Sequence, residues 1–333
     1  MTVFKTSTSS TVLAQMWQRL LQVPSVGLDD NFFDLGGDSA LAVQLFSEIA
    51  ETFGHQFPPV MIYHVPTIAS LVTLLEKHTT PELTPLILLK EGGEECPVFI
   101  ASGLGGGPAE FFQLAKYVRA TNPIYGLQAK GIEGFDQPCE RIEEMADFYL
   151  NAVRRFQPHG PYFLVGYSLG GLVTLEMARQ LTAQGEKVAL LVMIDSYPDI
   201  KTLAPTQFLR LLSQRMKRRF ASIGQPPRTD IRLGGLPDQD SISTFAPAFE
   251  RVRDAAYRAL RRYKPTFYPG NVRFIRAAEL TDFPEDPKSA WSPLIRTLDV
   301  ATVPGNHLSM LTMHYEKLAS VLDHYLEAAA GSE

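Results

Sequence analysis

PYFLVGYSLGGLVTLEMARQL, residues 161–181, is the stretch on which the architecture turns. Its first half is an apolar run of the length that suits a strand buried on both faces, and from Leu169 onward the pattern becomes helical. Between the two lies Gly166-Tyr167-Ser168-Leu169-Gly170-Gly171. A serine with glycines two residues to either side, at a strand-to-helix junction, sits on a sharp turn where added side chains would meet neighbouring backbone. Such a turn raises the Ser168 hydroxyl at the sheet edge. It also aims the Leu169 N–H at any oxygen that becomes negative after nucleophilic attack. A glycine-rich turn before a helix also serves phosphate cradles and tight packing, but strand, spacing and helix together favour the nucleophile.

Outward from this turn, the runs PVFIAS (97–102), PIYGLQA (123–129), VALLVMIDS (188–196), NVRFIRAA (271–278) and LDVATVP (298–304) read as further strands. PAEFFQLAKYVRA (108–120) and IEEMADFYLNAVRRF (142–156) read as helices between them. Apolar strands alternating with helices predict a mainly parallel sheet covered on both faces, with chemistry at the strand ends.

A nucleophilic serine needs a base, and the base an orienting acid. Of seven histidines, His307 in VPGNHLSML follows the last strand on a short loop before the C-terminal helix. His55, His64 and His78 belong to the N-terminal region or its linker, His159 precedes the Ser168 strand, and His314 and His324 fall on the final helix. Asp195 ends the next strand, 27 residues after Ser168, with Asp282 and Glu279 as competing acids one strand later. The order Ser168, Asp195, His307 is that of the α/β-hydrolase fold. A second oxyanion donor is expected from ASGLGGGPAEFF (101–112), where glycines admit close backbone approach and Pro108 starts a helix. The Leu104 N–H is the chosen donor, with the others up to Gly106 as alternatives; no lysine follows, as a phosphate-binding loop would require.

The first eighty residues follow a different rhythm. Helical patterns occur in STVLAQMWQRLLQV, from Ser39 to about Phe53, and in TIASLVTLLEKH, with a short turn around PPVMIYHV. They predict a small all-α bundle, followed by an extended linker in HTTPELTPL. NFFDLGGDSALAVQLF (31–46) places Ser39 where a glycine turn enters a helix. A serine there either caps the helix or presents its hydroxyl beside the positive end of the helix dipole. A long insertion at about 199–264 is expected to act as a lid, with Phe208, Leu212, Met216 and Phe220 on one helical face.

The 333-residue chain carries a net charge of −5, with 45% hydrophobic and 20% charged residues. That balance predicts neither a nucleic-acid nor a membrane partner. Its two cysteines, lacking histidines at ligand spacing, predict no metal site and a reducing, cytoplasmic setting.

Residues from about 85 to 330 resemble the thioesterase domains that end nonribosomal peptide and polyketide synthases. The resemblance is carried by GLGGGPAEFFQLA (103–115), YGLQAKG (125–131), PYFLVGYSLGGLVTLEMARQL, LVMIDSYP (191–198), AAYRALRRYKPTFYPGNVRFIRAAE (255–279) and PGNHLSML (304–311). It implies a Ser168, Asp195, His307 triad on an α/β-hydrolase fold. Many relatives have His-Pro where this chain has Ser102-Gly103, so the loop donor stays open. DNFFDLGGDSALAVQLF (30–46) is similar to the attachment segment of peptidyl and acyl carrier proteins, which implies 4′-phosphopantetheine on Ser39. The expected organisation is a four-helix carrier at 6–80, a linker at 81–86 and a thioesterase at 87–330. The implied partners are a phosphopantetheinyl transferase, upstream synthase modules and an acyl or peptidyl thioester. The implied reaction is chain release by hydrolysis or cyclisation, the alternatives being an acyltransferase, a Claisen-type cyclase or a generic serine esterase.

Overall fold

The computed structural model describes residues 2–77, 83–199, 246–279 and 286–331. The N-terminal region contains α1 (Thr2–Leu21), α2 (Ser39–Phe53) and α3 (Ile68–Lys77), with a 3-10 turn at Pro59–Tyr63. Apolar residues three or four apart explain the packing: Leu13, Met16 and Trp17 of α1 meet Ala42, Leu45, Phe46 and Ile49 of α2 and Leu71 and Leu75 of α3. α1 begins eight residues before the apolar pattern does, because its first turns carry only Val3 and Phe4 as large apolar residues. The loop between α1 and α2 is pinned by Phe32, whose ring meets Trp17 edge-on at 5.1 Å.

The remainder is built on a seven-stranded sheet ordered β1-β3-β2-β4-β5-β6-β7. Its strands are β1 (Leu86–Lys90), β2 (Val98–Ala101), β3 (Ile124–Leu127), β4 (Tyr162–Tyr167), β5 (Val188–Ile194), β6 (Tyr268–Ala277) and β7 (Ile295–Val303). Every pair is parallel except β1 with β3. All six strands expected from sequence are present. β1 is an addition, since LILLK starts at the last residue assigned to the linker and becomes a strand by antiparallel pairing at the sheet edge. β6 starts earlier than expected because the Pro269-Gly270 pair, which reads as a turn, is absorbed by a register shift between Tyr268 and Asn271.

The covering helices are α4 (Phe112–Tyr117), entered through a 3-10 turn at Pro108–Phe111, then α5 (Ile142–Phe156), α6 (Leu169–Ala183) and α7 (Ala246–Arg262). Among the described residues these are followed by α8 (Pro287–Trp291), α9 (Ser309–Thr312) and α10 (Tyr315–Ala330). α5, α6 and α7 pack on one face of the sheet, and α4 and α10 on the other. Of the expected lid, α7 is described. It packs Ala255, Ala256 and Ala259 inward, all buried. Phe208, Leu212, Met216 and Phe220 lie outside the described residues, as do His78 and Asp282. His314 precedes α10 as its N-cap residue, whereas sequence placed it on the helix.

Candidate active site

The three residues expected to form a triad converge from separate strand ends. Ser168 follows β4 with φ 54° and ψ −120°, a strained conformation for a non-glycine residue. The turn is held by the Ser168 N–H donating to the Ile194 carbonyl at 2.9 Å. Its glycines are there for space: a Cβ on Gly166 would lie 2.3 Å from the Gly170 carbonyl oxygen, and one on Gly170 would lie 2.2 Å from that of Ala101. Asp195 follows β5, also at positive φ (44°), and is buried. Its N–H donates to the Ile275 carbonyl at 2.7 Å, and its Oδ1 accepts from the Ala277 N–H at 3.2 Å. Trp291 Nε1 donates to the next carbonyl, that of Ser196, at 3.0 Å. One neighbouring strand, β6, therefore holds both the backbone and the carboxylate of Asp195, and Trp291 anchors the residue after it.

Asp195 Oδ2 lies 2.8 Å from His307 Nδ1, and His307 Nε2 lies 3.1 Å from Ser168 Oγ. The carboxylate fixes which ring nitrogen carries the proton and leaves the other facing the serine. Glu279 is exposed and uses its N–H to bond the Gly305 carbonyl at 2.9 Å, away from this relay. The histidine loop is an Asx turn in which Asn306 Oδ1 accepts the N–H groups of Leu308 (3.0 Å) and Ser309 (2.9 Å).

Sequence reading missed Tyr167. Its ring stacks on the His307 imidazole at 4.8 Å and 22°, and its hydroxyl donates to the His307 carbonyl at 2.7 Å. Burial, with the negative charges of Glu110 and Asp195 adding to it, pushes its phenol well above the usual range, so the hydroxyl keeps its proton and donates. No periodicity marks this role, because the contact spans 140 residues.

The loop after β2 lies against the nucleophile: a Cβ on Gly103 would sit 3.3 Å from Ser168 Cβ. The Gly103 N–H donates to Glu110 Oε1 at 3.2 Å, and the Gly106 N–H closes a turn onto the Gly103 carbonyl at 3.2 Å. Of the donors admitted from sequence, that of Gly106 is thus engaged, leaving Leu104 and Gly105 at the tip. Glu110 was also missed. Its outer edge meets solvent, yet the surrounding protein pushes its carboxyl up to about 7 against the pull of the Gly103 N–H.

Ser39 is the first residue of α2, and Asp38 is its cap, accepting the Leu41 N–H at 2.8 Å. The capping reading of Ser39 is therefore replaced by its neighbour. A Cβ on Gly37 would lie 2.3 Å from the Phe32 ring, so the turn entering α2 is moulded on the bundle core. A serine at the first helical position, with its cap supplied by the preceding residue, fits an attachment point for a phosphodiester.

Comparison with known families gives this geometry its context. Residues 96–326 match the thioesterase domain model. The chain belongs to the thioesterase family. Ahead of the thioesterase, residues 11–75 match the phosphopantetheine attachment site. Its relatives include a dimodular nonribosomal peptide synthase of Bacillus subtilis (strain 168), 33% identical over 85% of this chain and 12% of the relative. Malpibaldin synthetase of Mortierella alpina is 31% identical over 90% of this chain and 5% of the relative. The chain thus spans only a small fraction of these relatives. Among solved structures, a four-domain nonribosomal peptide synthetase bound to AMP and glycine aligns with a TM-score of 0.56 at 24% identity, covering 95% of this chain and 26% of that one. The NocB thioesterase domain aligns at 0.51 and 24% identity, covering 70% and 95%. At these identities the likeness is one of fold, and the sheet here is that of an α/β-hydrolase. No described helix is long and apolar enough to cross a membrane.

Proposed function

We propose that this chain releases an acyl or peptidyl group from 4′-phosphopantetheine on Ser39, by hydrolysis through an acyl-enzyme on Ser168. The observation that carries the reading is the Ser168–His307–Asp195 relay, at 3.1 Å and 2.8 Å, in the same chain as a carrier region. The arm, when bound, supplies a flexible thiol on which the acyl group travels as a thioester. The proposed division is a carrier at 6–80, a linker at 81–86 and a thioesterase at 87–330, with the insertion at 199–264 as its lid. Tethering two such units in one chain holds the substrate at an effective concentration on the order of millimolar.

His307 Nε2 takes the proton of Ser168 as its Oγ forms a bond to the thioester carbonyl carbon. Charge moves onto the carbonyl oxygen, which the Leu104 and Leu169 N–H groups hold. Collapse breaks the carbon–sulfur bond, and His307 returns the proton to the departing thiolate. A water then attacks the ester carbonyl, giving its proton to His307, which passes it back to Ser168 as the acid leaves. Asp195 keeps the imidazole oriented and stabilises its charged form. A phosphopantetheinyl transferase would load Ser39, and upstream synthase modules would supply the acyl chain.

Two serine variants test this. Ser39→Ala should abolish the mass gain on incubation with coenzyme A and a phosphopantetheinyl transferase, yet hydrolyse a small free thioester at close to the wild-type rate. Ser168→Ala should lose turnover by roughly six orders of magnitude and strand an acylated mass on Ser39. Labelling at another serine, or unloading by Ser168→Ala, would overturn the reading.

A further inference from the structure

We infer that Phe112 is the docking residue through which the thioesterase holds its own carrier, by stacking with Phe33 and Tyr63. The inference rests on the carrier-to-thioesterase reading above.

Phe112 opens α4, and its neighbours show which way it faces. Phe111, Leu114, Ala115 and Val118 are buried in the core beneath the sheet. Successive helical residues are about 100° apart, so Phe112 is turned off that face. Its half-buried ring packs into the carrier's cluster. Its centroid lies 4.1 Å from that of Phe33 with the planes 12° apart, and 6.4 Å from that of Tyr63 at 15°. Phe33 and Tyr63 are themselves parallel, 5.2 Å apart at 3°. Three near-parallel rings, two from the carrier and one from the thioesterase, make the contact. Around it the carrier core runs on into Ile87 of β1, Ile132 after β3 and Val252 of α7.

The contact joins the two segments that the chemistry uses. Phe33 is six residues before Ser39 on the loop that enters α2. Phe112 ends the segment that begins with the glycine loop at Gly103, and a Cβ on Gly107 of that loop would lie 3.9 Å from Tyr63 Oη. Charge contributes little, because the Asp34–Lys116 pair is 3.7 Å long with both side chains more than half exposed. Offset aromatic pairs are each worth about two- to tenfold in association beyond simple burial, and truncation of a central interface aromatic costs more.

The test uses the full chain with Phe112→Ala and Phe112→Tyr. Nitrogen-15 relaxation of the unloaded protein should show carrier amides tumbling with the whole molecule in wild type and in Phe112→Tyr. In Phe112→Ala they should tumble as a small separate body. After loading of Ser39, single-turnover release should fall about tenfold in Phe112→Ala, with free-thioester hydrolysis within twofold of wild type. Phe33→Ala, checked for loading at Ser39, should reproduce both changes from the other side. If either tumbling or release is unchanged in Phe112→Ala, the docking inference is wrong. A parallel loss of free-thioester hydrolysis would assign Phe112 to the thioesterase core and overturn it as well. Failure of wild type to load at Ser39 or to need Ser168 would instead sink the functional reading.

Discussion

At the scale of single residues, the site is a set of strained positions held by long-range partners. Ser168 and Asp195 both sit at positive φ, and each spends its N–H on a neighbouring strand. Asp195→Asn keeps the shape but offers His307 Nδ1 an ambiguous partner, so the wrong tautomer faces Ser168. Turnover of a small thioester should fall by roughly four orders of magnitude with the thermal midpoint nearly unchanged. Tyr167→Phe removes a single hydroxyl–carbonyl bond while keeping the stack on His307. The expected loss is about fivefold in kcat, with KM steady, corresponding to a net bond of about 1 kcal/mol. A Tyr167→Phe enzyme with unaltered kcat would show that the stack alone holds the imidazole.

At the scale of elements, α4 and α10 are joined through a buried carboxylate. Asp323 on α10 is buried and accepts the N–H groups of Arg119 (2.8 Å) and Ala120 (3.0 Å), just past the end of α4. The accompanying Arg119 side chain is mostly exposed, so its ion pair adds little. Asp323→Ala leaves two backbone donors without their acceptor, and urea unfolding should show a loss of about 2 to 3 kcal/mol. On the opposite face, Glu176 of α6 is buried and bonds both Arg179 and the hydroxyl of Tyr263, which follows α7. Tyr263→Phe removes one acceptor–donor pair and leaves the Arg179 contact, so a loss of about 1 kcal/mol in the same assay is expected.

At the scale of the whole molecule, the carrier and the thioesterase share one apolar cluster rather than a charged seam. Raising salt to about 0.5 M screens exposed ion pairs but leaves aromatic stacking in place. The carrier's tumbling in the intact chain should therefore be insensitive to salt. Release of the carrier by salt alone would mean that contacts such as Asp34–Lys116 dominate.

Local pattern was enough for the six apolar strands, for α2 and α5 to the residue, and for the serine turn. In each case the signal lies within a few consecutive positions: apolar runs, helical spacing, or glycines where a Cβ would collide with backbone. Ser168, Asp195 and His307 could be named because each follows a strand end, and parallel strands bring their ends to one edge. Pairing and packing decided the rest. β1 is a strand because β3 offers its edge, and β6 passes through Pro269-Gly270 because β7 tolerates a register shift. Asp38, not Ser39, caps α2, a choice made by backbone angles that two adjacent capping residues leave undetermined. Tyr167 on His307, Glu110 on Gly103 and Phe112 on Phe33 depend on which way a side chain leaves its element and on what arrives opposite it. That opposite surface comes from residues 7 to 140 positions away, beyond the reach of any local pattern.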